Sequence, residues 1–138
     1  MFTNKLAYCL CESGKTYSTC CEFYHLGLAK HVFAPNAEKL MRSRYSAFVL
    51  CLEDYLLQTW HPDTRPNQLN LANGHDVTKW LGLAMKQYKL LTNSTATVEF
   101  IAHYKMAENM SGKAERHHEI SQFIKIDYQW LYFDGQII

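Results

Sequence analysis

Four of the chain's five cysteines fall within its first 21 residues, as Cys9-Leu10-Cys11, an eight-residue gap containing Ser13-Gly14-Lys15, then Cys20-Cys21. A segment this short cannot build a core of its own, so its order must come from bonds among these side chains. Four soft thiolate donors can close a tetrahedral shell around a zinc ion. Neither the Cys9/Cys11 spacing nor the adjacent Cys20 and Cys21 suits a relaxed disulfide within a pair, while bridging between the pairs stays open. In a reducing compartment the spacing favours metal. His25, four residues after Cys21, is an alternative fourth ligand in place of Cys21. Either shell is closed, which points to a structural role.

The remaining residues are enough for one compact core: the chain has 138 residues, 48% of them hydrophobic and 14% aromatic. Fourteen basic against thirteen acidic side chains leave a formal charge of +1, so no global field draws the chain to nucleic acid or anionic lipid. No apolar run approaches the roughly 20 residues that span a bilayer. The expectation is a soluble, cytoplasmic protein without membrane insertion.

Residues 1–27 show no sustained period and read as a loop-rich knuckle; a body spans 34–138. Asn36 can cap a helix running through Leu52, with Leu40, Met41, Tyr45, Ala47, Phe48, Cys51 and Leu52 on one face at about 100° per residue. A second helical piece, Glu53 to Trp60, ends at His61-Pro62. Asp63 to Asp76 reads as a long loop suited to a lid. Strands are predicted over Trp80–Leu91, Thr95–Met106, His118–Ile126 and Gln129–Phe133. Turns are predicted at Thr92-Asn93-Ser94, Ala107–Glu115 and Asp127-Tyr128, and Val98, Phe100, Ala102 and Tyr104 share one side of their strand. Helices first and antiparallel strands after give an α+β fold.

Two apparent motifs carry nothing. Ser13-Gly14-Lys15-Thr16 lacks the first glycine and preceding strand of a phosphate-binding loop, and His61-Pro62-Asp63 lacks the helical hairpin of the co-chaperone domain that uses this tripeptide. Arg44 carries more weight, because it falls inside the apolar face of the first long helix while Arg42 points away. A guanidinium there requires partners, since an unpaired buried charge costs several kcal/mol. Glu119 and Glu99 are the candidate carboxylates. His117 and His118 face opposite sides of a strand and make no metal pair.

The order Cys-x-Cys, eight residues with Ser-Gly-Lys, then Cys-Cys resembles the SEC-C motif, a zinc knuckle also found in the SecA preprotein translocase. Met41-Arg42-Ser43-Arg44-Tyr45-Ser46-Ala47-Phe48, Asp54-Tyr55-Leu56, Thr59-Trp60-His61-Pro62, Trp80-Leu81-Gly82-Leu83, Glu119-Ile120-Ser121-Gln122-Phe123 and Trp130-Leu131-Tyr132-Phe133-Asp134-Gly135 resemble the YchJ family, also called UPF0225. The resemblance implies a knuckle whose zinc ligands are Cys9, Cys11, Cys20 and Cys21. It also implies an NTF2-like body, a curved antiparallel sheet packed on helices around a pocket. Three departures stand out: Glu12 replaces a usual glycine, Ile120 and Gln122 replace arginines, and no second knuckle follows Asp134-Gly135.

Two functional expectations follow. The preferred one is a zinc-binding accessory protein that docks a protein or ribosomal partner through its knuckle, by analogy with SecA. The alternative is a small-molecule-binding or catalytic body, with Arg44, Tyr45, Trp60, His61, Glu119 and Ser121 lining the pocket.

Overall fold

The computed structural model describes residues 8–71, 78–106 and 112–138. The knuckle is a tight loop. An isolated bridge joins Tyr8 to Thr16, and the Cys9 N–H donates to Lys15 O at 2.7 Å. After a 3-10 turn at Tyr17–Thr19 the chain forms a short helix, α1, over Cys21–Gly27. The sequence showed no helical period there, because seven residues are too few to display one.

Helix α2 covers Ala37–Val49 and α3 covers Glu53–Gln58. The Asn36 side chain accepts from the Lys39 N–H at 2.8 Å, which satisfies one of the unpaired donors at the start of α2. The predicted continuation through Leu52 is corrected. Cys51 takes a left-handed φ of 58°, with Leu52 N–H on Ala47 O and Cys51 N–H on Phe48 O. This is the paired closure of a Schellman motif, made without glycine. Cys51 is therefore exposed and leaves the core face.

Strands β1 (Thr78–Thr92), β2 (Thr95–Met106), β3 (Glu115–Ile126) and β4 (Gln129–Ile137) form one antiparallel meander in the order 1-2-3-4. β3 starts earlier and β4 ends later than the alternation predicted. Asp127 and Tyr128 both have positive φ, the two-residue turn whose twist matches a hairpin. Register shifts put extra residues in β1 and, at Phe133, in β4, and these bulges bend the sheet. The predicted lid falls partly outside the described residues, as does the 107–115 turn.

Helix α2 lies in the concave face. Ala37, Leu40, Met41 and Tyr45 pack with Leu83, Val98, Phe100, Ala102, Phe123 and Trp130, and Cys9, Cys11 and Cys21 belong to the same buried cluster. Val98, Phe100 and Ala102 share this inner side as expected. Glu12 ties the knuckle to the sheet. Its backbone sits at φ 62°, and its carboxylate accepts from the Leu83 N–H at 2.8 Å. A Cβ on Gly82 would meet that carboxylate at 2.6 Å, so the glycine makes room for the contact.

Candidate metal centre and candidate ligand cavity

The four knuckle sulfurs converge. Each of Cys9, Cys11, Cys20 and Cys21 offers a ligand atom, and all four atoms lie within 4.8 Å of one another. The Cys11–Cys20 and Cys20–Cys21 separations are 3.6 and 4.0 Å. A tetrahedron with metal–sulfur bonds of about 2.3 Å has edges of about 3.8 Å, so the donor set fits a metal ion. Hydrogen bonds from Cys11 and Cys21 hold the Cys9 thiol well below its usual range, and a hydrogen bond with Cys11 pushes Cys21 up.

His25 is not part of this cluster. Its Nε2 lies 2.8 Å from the Ser43 carbonyl, which can only accept, so Nε2 carries the proton. Nδ1 then accepts from the Tyr17 hydroxyl at 2.8 Å. Burial lowers the His25 pKa and holds the ring neutral. Both nitrogens are thus engaged, Nε2 fastening α1 to α2 and Nδ1 holding the Tyr17–Thr19 turn against α1.

In the body, α2, the segment after α3, and the inner faces of all four strands enclose a cavity of about 330 Å³. Arg44, Tyr45, Trp60, Glu119 and Ser121 line it, together with Phe48, Trp80, Phe100, Tyr104, His117 and Tyr132. Five of the six residues singled out from the sequence therefore meet. His61 does not, and its place in the pocket is corrected. Trp60 bridges Tyr132 beside β4, and successive residues of an extended segment point to opposite sides. His61 packs on Phe133 with centroids 5.0 Å apart, and its Nδ1 accepts from the Asp63 N–H at 3.0 Å.

Arg44 is buried at 2% exposure, yet neither Glu119 nor Glu99 forms an ion pair with it. Its Nη1 donates to Leu56 O at 2.8 Å and to Thr59 Oγ1 at 2.7 Å. Its guanidinium carbon lies 4.9 Å from the Trp60 ring centroid and 4.8 Å from that of Tyr132, within cation–π range of both. Desolvation pulls the Arg44 pKa down to about 10, which leaves it charged at neutral pH. Tyr132 takes the place expected for a carboxylate. Its ring meets Arg44 and its hydroxyl donates to Glu119 Oε2 at 3.0 Å.

Glu119 is thoroughly occupied. Oε2 also accepts from the Ser121 hydroxyl at 2.6 Å, and Oε1 accepts from His117 Nε2 at 2.7 Å. Burial and the Glu119 charge raise the Tyr132 pKa, so its phenol stays a donor. Glu99 pairs with His118 at 2.7 Å, and the two histidines separate as expected. Sequence reasoning missed His117 and Tyr132 as cavity residues. Their parity with Glu119 and Ser121 on β3, and with Trp130 on β4, was the available signal.

A meander cupping helices over an aromatic cavity, preceded by a four-cysteine knuckle, defines an NTF2-like α+β protein with a candidate SEC-C metal site. The comparisons agree. Residues 36–135 match the family described as YchJ, middle NTF2-like domain. A UPF0225 protein of Bordetella parapertussis is 51% identical over 131 residues, covering 95% of this chain and 93% of that protein. One from Chromobacterium violaceum is 46% identical over 133 residues, covering 95% and 93%. The solution structure of a SEC-C motif containing protein from Rhodopseudomonas palustris superposes with a TM-score of 0.76 at 34% identity, covering 94% of this chain and 98% of that one. A crystal structure of a SEC-C motif containing protein from Psychrobacter arcticus gives 0.75 at 29% identity, covering 97% and 84%. The chain belongs to the UPF0225 family. Among the described residues no helix is long and apolar enough to cross a membrane.

Proposed function

We propose that this chain is a small-molecule-binding protein in which the cysteine cluster holds a structural zinc ion and the body cavity is the working site. The observation that carries the reading is the 330 Å³ cavity itself, walled by aromatic side chains with Arg44, His117, Glu119 and Ser121 converging on it. A mostly apolar concavity with a few placed polar groups is the usual form of a ligand site. The closed set of four sulfurs supports the structural role of the metal, because a filled tetrahedral shell leaves no position for substrate.

The test is a fragment screen by thermal shift on the metal-loaded protein, run beside Ala102→Leu, which adds bulk at the buried cavity wall. Compounds that bind the native fold raise its Tm. Fragments that stabilise the wild type and not Ala102→Leu support the reading; a screen in which none stabilises the wild type overturns it. Metal analysis should find zinc in the wild type and lose it in Cys9→Ser and Cys20→Ser.

A second reading, docking of a protein or ribosomal partner through the knuckle, draws support from the exposed apolar side chains of Tyr8, Leu10, Phe23 and Leu26. Its expected sign is a partner crosslinked by the wild type and lost in a Phe23→Ser, Leu26→Ser variant that keeps its zinc.

A further inference from the structure

The polar groups of the cavity are unequally satisfied, and the imbalance has one sign. Both oxygens of Glu119 already accept hydrogen bonds, three in all, from His117, Ser121 and Tyr132. The donors are less well served. The Trp60 indole Nε1 is buried with no partner among the described residues. Arg44 spends Nη1 on Leu56 and Thr59, and no acceptor among the described residues meets its Nε or Nη2. Among those residues no carboxylate comes within ion-pair distance of it either.

Geometry makes the unused side of Arg44 specific. The rings of Trp60 and Tyr132 lie against the guanidinium, and Nη1 is anchored to α3 and its cap. What remains is the Nε/Nη2 edge, a two-pronged fork that matches a carboxylate in bidentate fashion. A buried guanidinium with no carboxylate at ion-pair distance and a buried indole N–H without a partner both favour an added acceptor, and the cation favours a charged one. Apart from Thr78, Ala102 and the β3 groups already named, the rest of the wall is aromatic and thioether surface. The 330 Å³ volume is about twice the roughly 150 Å³ that takes up a benzene, room for a ring together with its substituents.

Resting on the small-molecule reading above, we propose that the cavity binds a small aromatic carboxylate, its carboxylate on the Nε/Nη2 edge of Arg44 and the Trp60 indole N–H, its ring among Tyr45, Trp80 and Phe100. A cationic ligand fits less well, because the carboxylate it would seek is already capped by three donors.

Isothermal titration of the metal-loaded full chain with benzoate, benzamide and benzylamine tests this, since the three share a ring and differ in charge. Benzoate should bind at least about tenfold more tightly than benzamide, the usual gain of charge-assisted bonds, and benzylamine should bind most weakly. Trp60→Phe keeps a ring and removes the N–H; it should weaken benzoate about tenfold. Arg44→Lys keeps the charge and removes the fork, and should weaken benzoate as well. Benzamide or benzylamine binding as tightly as benzoate overturns the proposal and leaves the small-molecule reading standing, as does unchanged benzoate affinity in Trp60→Phe. If none of the three binds while other fragments still stabilise the wild type, the proposal alone falls; if no fragment does, both fall.

Discussion

Glu12 shows how one residue can join two parts of a fold at a local cost. A non-glycine side chain at φ 62° costs about 1 kcal/mol, and the carboxylate bond to Leu83 N–H returns a similar amount. Glu12→Ala keeps the backbone cost and loses the bond, so it should destabilise by about 1 kcal/mol. Glu12→Gly loses the bond and relieves the backbone, and should be close to neutral. Denaturant midpoints at constant m-value check the order; alanine matching glycine would contradict it. His25 supplies a pH-dependent counterpart. Its folded pKa is depressed by burial, so the unfolded chain takes up the proton first. Stability is full above the unfolded pKa of about 6.5 and falls as pH drops toward the folded value. His25→Gln should be less stable at neutral pH and lose less Tm on acidification through that window. Parallel Tm curves for the two proteins would refute this assignment.

The β3–β4 hairpin positions most of the cavity's polar groups. Gly135 pairs with Ser121, and a Cβ there would collide with the Glu119 carboxylate and approach Tyr132 Oη at 2.8 Å. Gly135→Ala should therefore cost about 1–3 kcal/mol and weaken cavity binding, readable as lower Tm and a smaller fragment-induced shift. An unchanged shift would separate Gly135 from the site. At this scale the sequence was partly legible. Alternation grouped Glu119 with Ser121 and separated His117 from His118, but it could not say which side of β3 faces α2. His117 went unrecognised because the strand was predicted to begin at His118, whereas β3 starts at Glu115 and carries His117 on the face of Glu119 and Ser121. His61 failed for a related reason: neighbouring Trp60 and His61 were grouped by adjacency, whereas an extended backbone sends them apart. The end of α2 was hidden because Cys51, not glycine, holds the left-handed position.

In the whole molecule the knuckle and body share one interior. Cys9, Cys11 and Cys21 are buried with Leu40, Met41 and Tyr45. Arg42 Nη1 donates to Cys11 O at 2.7 Å, and His25 reaches Ser43. Separate melting of the knuckle, with the body left intact, is therefore not the expected behaviour. On the proposed zinc site, removing the metal should lower the Tm of knuckle and body together, because metal binding energy is folding energy. Two transitions after chelation, with the body unchanged, would contradict this. The family and its α+β plan were legible because the cysteine spacing and the run through Met41 to Phe48 are distinctive. The occupant of Arg44 was not, since a buried arginine can be satisfied by carboxylates or by aromatic rings, and only tertiary contacts distinguish them.

The proposed working site is the body cavity, and on that proposal its unpaired donors receive an anion. A proton–nitrogen correlation spectrum of the metal-loaded protein, titrated with benzoate and assigned with Trp60→Phe, tests it most directly. A large saturable shift of the Trp60 indole N–H is expected, with the amides of Cys9 to Cys21 unmoved. A Trp60 resonance that stays in place, or shifts confined to the knuckle, would contradict it.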